Sequence, residues 1–489
     1  MIDFSLFNTI NPQPAMTSSP SSPSEIRLLT LNCWGLKFIS KHRNARLREI
    51  GNRLAQSTPP PQIVSLQELW TQEDYEAIRS LTKDILPYGK FYFGGIFGAG
   101  LAILSQWPIE ESSMYEYPLN GRPTAFFRGD WFVGKGVACA RVRFGKGTED
   151  VAAVFCTHLH APYEREPNDS YLCHRTAQAW EIAKLMRGAA EKGHLVVGMG
   201  DFNMLPSSFA HRLISAHAPV KDVWGILHPD ASVGAAIDEV EKVRGRPVPS
   251  AEFNLEENGV TCDSCLNTWR WTKGQTERAE KGEDIFTVDR KASDPKGKRL
   301  DYIFVGDGGY PPLYPEPKWK VDSARITMIE PHPTLKCSLS DHFAIEAVIS
   351  RPEGGKSASE TGSIAHSHRR SGSHSISPNT ALTADTYDLI LDMIYKYGLR
   401  ERSQRRWRLA HFVASVLVSI GCFIGVWWTG DLPYVAFILV LVSTLNFGAG
   451  ILDGLIGGLF VSSELRALKE FEWEVRNAKR IAEAGQKAG

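Results

Sequence analysis

Side chains able to do chemistry stand at six places in the chain, each at the end of a run rich in apolar and β-branched residues: Asn32, Glu68, His158, Asp201 with Asn203, Asp301, and Asp341 with His342. Carboxylates are hard oxygen ligands for a cation such as Mg2+, and imidazole exchanges a proton near neutral pH. Each residue taken singly has a plainer explanation. An Asn or Asp after a strand is usually a turn former, and a lone His is more often a satisfied hydrogen-bonder than a base. Polar groups set at strand ends collect along one rim of a sheet, and it is their order along the chain that makes them a set.

The elements that position them are short β-rich runs at 26–31, 62–66, 101–104, 137–144, 151–156, 195–199, 300–305, 326–329 and 343–349. In the fourth run Ala138, Ala140, Val142 and Phe144 fall on one face and Arg141 and Arg143 on the other, which predicts a sheet with one buried face. Ala179, Ile182, Ala183, Met186 and Ala190 recur at helical spacing, so that segment should pack on a sheet. Many strands with few helices predict an α+β sandwich of two sheets. Residues 275–299 are charged and without periodicity and read as a long inserted loop. Residues 1–24 read as a disordered N-terminal segment, and the Ser-, Gly- and His-rich residues 352–380 as a flexible linker.

The chain has 489 residues, 43% hydrophobic and 22% charged, enough for a large core. Lys plus Arg equals Asp plus Glu at 55 each, so no global positive field draws nucleic acid, and no nucleic-acid partner is expected. Nor does the sequence imply an obligate protein partner. The eight cysteines are scattered and read as reduced cytosolic thiols, and the N-terminus lacks the apolar core of a signal peptide. Cys262 and Cys265 have zinc-knuckle spacing, but no second such pair follows them.

Two apolar runs, 409–428 and 434–461, are each long enough to cross a bilayer and are joined by a short polar turn, so 409–461 reads as a transmembrane hairpin. A basic juxtamembrane segment, 381–408, precedes it and a basic tail, 462–489, follows. The turn has no Lys or Arg, so both ends and the domain at 25–351 should face the cytosol, with the endoplasmic reticulum as the default membrane. The basic cluster would attract anionic lipid. Asp453 falls within the second span, and Gly450, Gly454 and Gly458 are spaced for close helix contact, expected within the hairpin.

The order Leu31-Asn32-Cys33-Trp34, Leu66-Gln67-Glu68-Leu69, Thr157-His158-Leu159, Gly200-Asp201-Phe202-Asn203, Leu300-Asp301-Tyr302 and Ser340-Asp341-His342-Phe343 resembles the endonuclease/exonuclease/phosphatase superfamily at every motif, over residues 26 to about 349. The resemblance implies a four-layer DNase I-like sandwich: two packed mixed sheets flanked by helices. It also implies a Mg2+-dependent phosphodiesterase, with Mn2+ as a substitute cation. A phosphodiester is anionic and repels a nucleophile, so its hydrolysis needs charge neutralisation and an activated water. Glu68, Asn32 and Asp341 would then serve the metal. His342 would be general base, oriented by Asp301, while Asp201 and Asn203 position water and phosphate and His158 donates to a phosphate oxygen.

Gly121-Arg122-Pro123-Thr124, Arg128-Gly129-Asp130-Trp131-Phe132-Val133-Gly134-Lys135-Gly136-Val137, Thr157-His158-Leu159-His160-Ala161-Pro162-Tyr163 and the paired C-terminal spans resemble the neutral sphingomyelinases and inositol phosphosphingolipid phospholipases C. That narrows the implied substrate to a membrane sphingolipid, with ceramide as product and anionic phospholipids as activators. The head group stays open between inositol phosphate and phosphocholine. Asp130 and Lys135 are implied as a switch controlling access to the site, against the plainer reading of an exposed ion pair on a glycine hairpin. Arg122 and His160 are further candidates for substrate contact or regulation, and His160 should share the sheet face of His158 if both lie in a strand. An inositol polyphosphate phosphatase or an endonuclease would carry the same core motifs.

Overall fold

The computed structural model describes residues 22–164, 169–280, 289–308, 318–352 and 382–488. Nearly all of the N-terminal segment, the linker from 353 to 380 and the middle of the inserted loop lie outside the described residues.

Twelve strands form among the described residues: β1 Glu25–Asn32, β2 Ile63–Gln67, β3 Tyr88–Tyr92, β4 Leu101–Ser105, β5 Ile109–Glu116, β6 Gly136–Arg143, β7 Val151–His158, β8 Leu195–Asp201, β9 Lys221–Asp222, β10 Asp301–Gly306, β11 Lys320–Thr327 and β12 Ala344–Ser350. The helices are α1 Arg43–Gln56, α2 Gln72–Thr82, α3 Asp130–Val133, α4 Leu172–Glu191, α5 Phe209–His217, α6 Val223–Leu227, α7 Glu239–Lys242, α8 Ala251–Phe253, α9 Lys273–Glu280, α10 Ala384–Val426, α11 Pro433–Leu455 and α12 Val461–Ala488.

One sheet has the order β11-β12-β1-β2-β4-β3 and the other β5-β6-β7-β8-β10-β9. Each is mixed, with one parallel pair at its centre, β1 with β2 and β7 with β8. The sheets pack face to face over a core that includes Ile26, Leu28, Ile63, Val154, Val197, Ile303 and Ile345. Ala138, Ala140, Val142 and Phe144 point into that core, while Arg141 and Arg143 are only half-buried. Leu47, Ile50 and Leu54 of α1 and Ile78 of α2 cover the outer face of the first sheet. Ala179, Ile182, Ala183, Met186 and Ala190 of α4, with Leu213 and Ile214 of α5, cover that of the second. This is the four-layer sandwich expected from the resemblance.

Two expectations are corrected. The 275–299 segment is not all loop: α9 occupies its start, and near its end buried Asp294 accepts hydrogen bonds from Asn254, Ser264 and Cys265. Residues 384–408 and 462–488 are not plain basic flanks but long helices seated on the sandwich. Tyr387, Ile390, Ile394 and Tyr397 of α10 and Leu468, Phe471 and Val475 of α12 join the same core as α4. Polar contacts complete this seam. Trp180 Nε1 donates to Glu474 (2.7 Å), Lys184 Nζ reaches both Glu474 oxygens, and His174 Nε2 lies 3.0 Å from Glu464 Oε1, which also accepts from Tyr397. Buried Glu401 of α10 faces Arg122, 3.7 Å from its Nε.

Beyond the seam α10 and α11 form a hairpin whose apolar side chains, among them Val413, Leu417, Phe423, Phe437, Ile438 and Leu445, stay exposed. Both helices are long and apolar enough to cross a membrane, and among the described residues little protein covers them. Inside the hairpin, a Cβ on Gly450 would lie 2.4 Å from that of Ser415, and one on Gly454 would press on the Phe412 ring, so the two helices touch closely through these glycines. Asp453 is paired with Arg408 and with His411 Nδ1 (2.7 Å).

Candidate active site

The two central parallel pairs end at the same rim. Asn32 closes β1, and Glu68 directly follows β2. His158 closes β7, Asp201 closes β8, and Asp301, directly opposite Asp201, opens the antiparallel β10. Asp341 and His342 lie just before β12, where His342 forms a β-bridge with Cys262. The resemblance-derived core set is thus brought to one place from both sheets.

Asn32 links the halves of the site. Its Nδ2 donates to Glu68 Oε1 and to Asp201 Oδ2, both at 3.0 Å, and its Oδ1 accepts from the Trp34 amide. Trp34, Glu68 and Asn203 all have positive φ (46°, 53° and 45°), a conformation costly for non-glycine residues and typical of functional turns. The turn after β1 is held tightly: Gly35 N donates to Glu68 O at 2.9 Å, and a Cβ on Gly35 would lie 2.3 Å from that oxygen.

Glu68 Oε2 is buried without a partner. Burial, followed by repulsion from Asp341, holds the Glu68 carboxyl above its usual range, while the Asn32 amide pulls the other way. Two neighbouring acids with an orphaned oxygen are a donor set that fits a divalent cation.

His342 Nδ1 is 2.8 Å from Asp301 Oδ2, and His342 Nε2 is 3.9 Å from Asp201 Oδ2. Burial alone would lower the imidazole, but the Cys262 sulfur and the Asp301 and Asp201 carboxylates hold it well above the usual histidine value. Burial, then repulsion from Asp301, pushes Asp201 up to about 7. Asp201, Asp301 and His342 bring ligand atoms within 4.8 Å of one another, and the Nδ1 of His342 is engaged by Asp301, an arrangement suited to acid–base work. His158 Nε2 lies 3.6 Å from Asp201 Oδ2, and burial with nearby Lys135 keeps the ring well below the usual value, hence neutral. The Asn203 amide N donates to Asp201 Oδ1 (2.9 Å), and its Nδ2 donates to Leu159 O (3.1 Å).

Asp130 and Lys135 are both buried: Asp130 opens α3 and Lys135 lies in the turn between α3 and β6, within the connection from β5 to β6. No ion pair joins them. Lys135 Nζ points to the carbonyls of His158 (3.4 Å) and Leu159 (3.3 Å), while Asp130 Oδ2 accepts from Tyr163. The exposed ion pair is therefore ruled out, and Lys135 stands at the edge of the catalytic rim. His160 lies beyond the end of β7, so it does not share a strand face with His158. It is fully buried, stacked on Tyr171 at 3.8 Å, and burial keeps it well below the usual value. Arg122 faces Glu401 in the seam and stands over the Tyr171 ring.

Three supporting residues escape sequence reasoning. Arg46 of α1 is buried and donates to the carbonyls of Cys33, Trp34, Lys41 and Leu339, tying the turn after Asn32 to the segment before Asp341. Gln67 is buried between the sheets, where it hydrogen-bonds Thr30 and Cys156 beneath Glu68. Ser340 Oγ donates to Asn32 O at 2.6 Å and accepts from His342 N. An arginine in an amphipathic helix reads as surface, and nothing in the sequence marks it otherwise.

Residues 29–342 match the endonuclease/exonuclease/phosphatase family model. The inositol phosphosphingolipids phospholipase C of Schizosaccharomyces pombe is 38% identical over 456 residues, 93% of this chain and 94% of that protein. Its Saccharomyces cerevisiae namesake is 32% identical over 96% of this chain and 94% of its own length. Human sphingomyelin phosphodiesterase 2 is 35% identical over 205 residues, 42% of this chain and 47% of that protein. With the motifs assembled at one rim and similarity to the two fungal proteins running nearly end to end, the chain belongs to the endonuclease/exonuclease/phosphatase family and, within it, to the inositol phosphosphingolipid phospholipases C and their sphingomyelinase relatives.

Proposed function

We propose that this protein is a phosphoric diester hydrolase that cleaves the head-group phosphodiester of a membrane sphingolipid, releasing ceramide and a phosphorylated head group. The observation that carries this reading is the extent of the match. Relatives named for this reaction align over both the catalytic rim and the C-terminal helices. Because those relatives are the inositol phosphosphingolipid enzymes, inositol phosphate is the favoured head group over phosphocholine.

The geometry supports a specific division of labour. Asp301 accepts from the Nδ1–H of His342, so Nε2 is the nitrogen that exchanges a proton with the attacking water, and the same carboxylate stabilises the imidazolium. Asp201, beside both His342 and His158, orients the water with help from Asn203. His158, neutral and poised at the rim, donates to a phosphate oxygen. Glu68 and Asp341 would hold the cation, with Asn32 fixing Glu68 from the side. A bound Mg2+, or Mn2+ in its place, would neutralise phosphate charge there.

The apolar hairpin would span the bilayer with the sandwich on the cytosolic side, since Arg402, Arg405, Arg406 and Arg408 precede it and Arg466 and Lys469 follow. The endoplasmic reticulum is the expected first membrane, and anionic lipids near the basic flanks are candidate activators.

The test is hydrolysis by the full-length protein of mixed micelles containing an inositol phosphosphingolipid or sphingomyelin, with Mg2+, Mn2+ or EDTA and with or without anionic lipid. Cation-dependent ceramide release is expected, faster with the inositol lipid. Cleavage of phosphoinositide or abasic-site DNA with no ceramide would assign the rim a different substrate.

A further inference from the structure

Two loops beside the catalytic rim carry exposed aromatic and aliphatic side chains that a water-facing surface does not need. Ile96 and Phe97 are 70% and 60% exposed, and Phe126 and Phe127 are 47% and 76% exposed. The loops are joined to each other: the amides of Ile96 and Phe97 both donate to Phe132 O (2.9 and 3.1 Å), and the Phe97 and Phe132 rings lie 5.7 Å apart. Their backbones touch at Gly95 and Gly134. Both residues have positive φ, and a Cβ on Gly134 would lie 2.2 Å from Gly95 N, so this contact requires glycine.

The loop that carries Phe126 and Phe127 abuts the apolar hairpin. Trp131 stacks on Phe460, just past α11, at 4.4 Å, and Arg408, just before the first apolar run, donates to Thr124 O at 3.2 Å. The exposed aromatics are therefore continuous with the place where the hairpin leaves the protein surface. On their other side, Lys135 links the loops to the carbonyls of His158 and Leu159 at the rim. A third loop at this rim, leaving β1 just after Asn32, exposes Phe38 and Ile39 at 94% and 70%.

We propose that the loops around Phe97 and Phe127 form a second membrane contact, inserting their side chains into the interfacial layer of the bilayer beside the hairpin so that the catalytic rim opens onto the lipid surface. The proposal rests on the reading of the hairpin as membrane-spanning. Aromatic side chains favour the boundary between head groups and acyl chains, and an apolar face that binds there sinks about 5–10 Å. A lipid surface fits better than a protein partner because the patch continues from an apolar hairpin that itself needs lipid.

The test uses the full-length protein in phosphatidylcholine nanodiscs containing lipids with a nitroxide near the head of the acyl chain or deep within it. An environment-sensitive fluorophore is attached in turn to Phe127→Cys, Leu417→Cys and Lys146→Cys, with the unsubstituted chain labelled in parallel to subtract native thiols. Leu417 is exposed on the hairpin, whereas Lys146 is exposed in the turn beyond the far end of β6, roughly 20 Å along that strand from Gly136. Expected are blue-shifted emission at Phe127 quenched by the shallow nitroxide, quenching at Leu417 by the deep one, and neither at Lys146. Quenching at Leu417 with a Phe127 label that behaves like Lys146 would overturn the insertion while leaving the hairpin in the membrane. A Phe127 label shielded from water but unquenched by either lipid would assign the patch to a protein and overturn it equally. Absence of quenching at Leu417 as well as at Phe127 would remove the membrane reading itself.

Discussion

The catalytic rim and the seam where α4 meets α10 and α12 both hold buried carboxylates, yet these are treated differently. At the rim each buried acid has a directed partner: Asn32 on Glu68, the Asn203 amide on Asp201, His342 on Asp301. What remains is a single orphaned oxygen on Glu68 and another on Asp301. In the seam, Glu401 has no hydrogen bond to either oxygen, and Glu464 leaves one oxygen unpaired. Burial and the neighbouring Glu464 push Glu401 up to about 7, and burial pushes Glu464 up to about 8, against the pull of Arg122, Arg400, His174 and Tyr397. The spare oxygen of Glu68 lies near a second acid, Asp341, as a cation site requires, whereas Glu401, with neither oxygen hydrogen-bonded, keeps its own proton. The rim should therefore answer to metal and the seam to pH.

The largest effect expected is at the rim. His342→Ala should lower turnover on the order of 10²–10⁴-fold, the usual contribution of a positioned base, with circular dichroism unchanged. Full activity in that variant would remove the base. Glu68→Gln should raise the cation concentration for half-maximal activity by roughly 10–100-fold, comparable to the loss of groups supporting a metal ligand. A cation response equal to that of the unsubstituted protein would put the metal elsewhere.

The seam gives the third. Because the folded values of Glu401 and Glu464 lie above the usual carboxylate value, their contribution to docking is fully present at acid pH and is lost as pH rises through about 7 to 8. Hydrogen exchange in α4, corrected for its intrinsic pH dependence, should therefore accelerate between pH 6 and 8.5, and Glu401→Gln with Glu464→Gln should flatten the response. A flat profile in the unsubstituted protein would erase the contrast between the two clusters. Smallest is Trp180→Phe, which removes the hydrogen bond to Glu474 and should cost about 1 kcal/mol, read as a slight fall in melting temperature in detergent.

Strand positions and the rim were legible because a buried strand is a dense apolar run and the chemistry sits where such runs stop. β3, β5 and β9 escaped notice for the converse reason. β5, Ile-Glu-Glu-Ser-Ser-Met-Tyr-Glu, is an edge strand with no fully buried residue, and β9 has only two residues. β11 is also an edge strand, so its apolar signal at 326–329 marked only its end. The seam had a signal that charge concealed. Tyr387, Ile390, Ile394 and Tyr397, and Leu468, Phe471 and Val475, recur at helical spacing within segments whose basic residues read as membrane flanks. Their partner, α4, lies about two hundred residues or more away in the chain, and no local pattern names it.

α10 runs unbroken for 43 residues, roughly 65 Å, from its packing against α4 through the first apolar span. A domain seated on such a shaft turns and travels with its anchor. With the hairpin in a bilayer, as proposed, the search for substrate would become a two-dimensional encounter, governed by how fast lipids diffuse past a mouth held at fixed height.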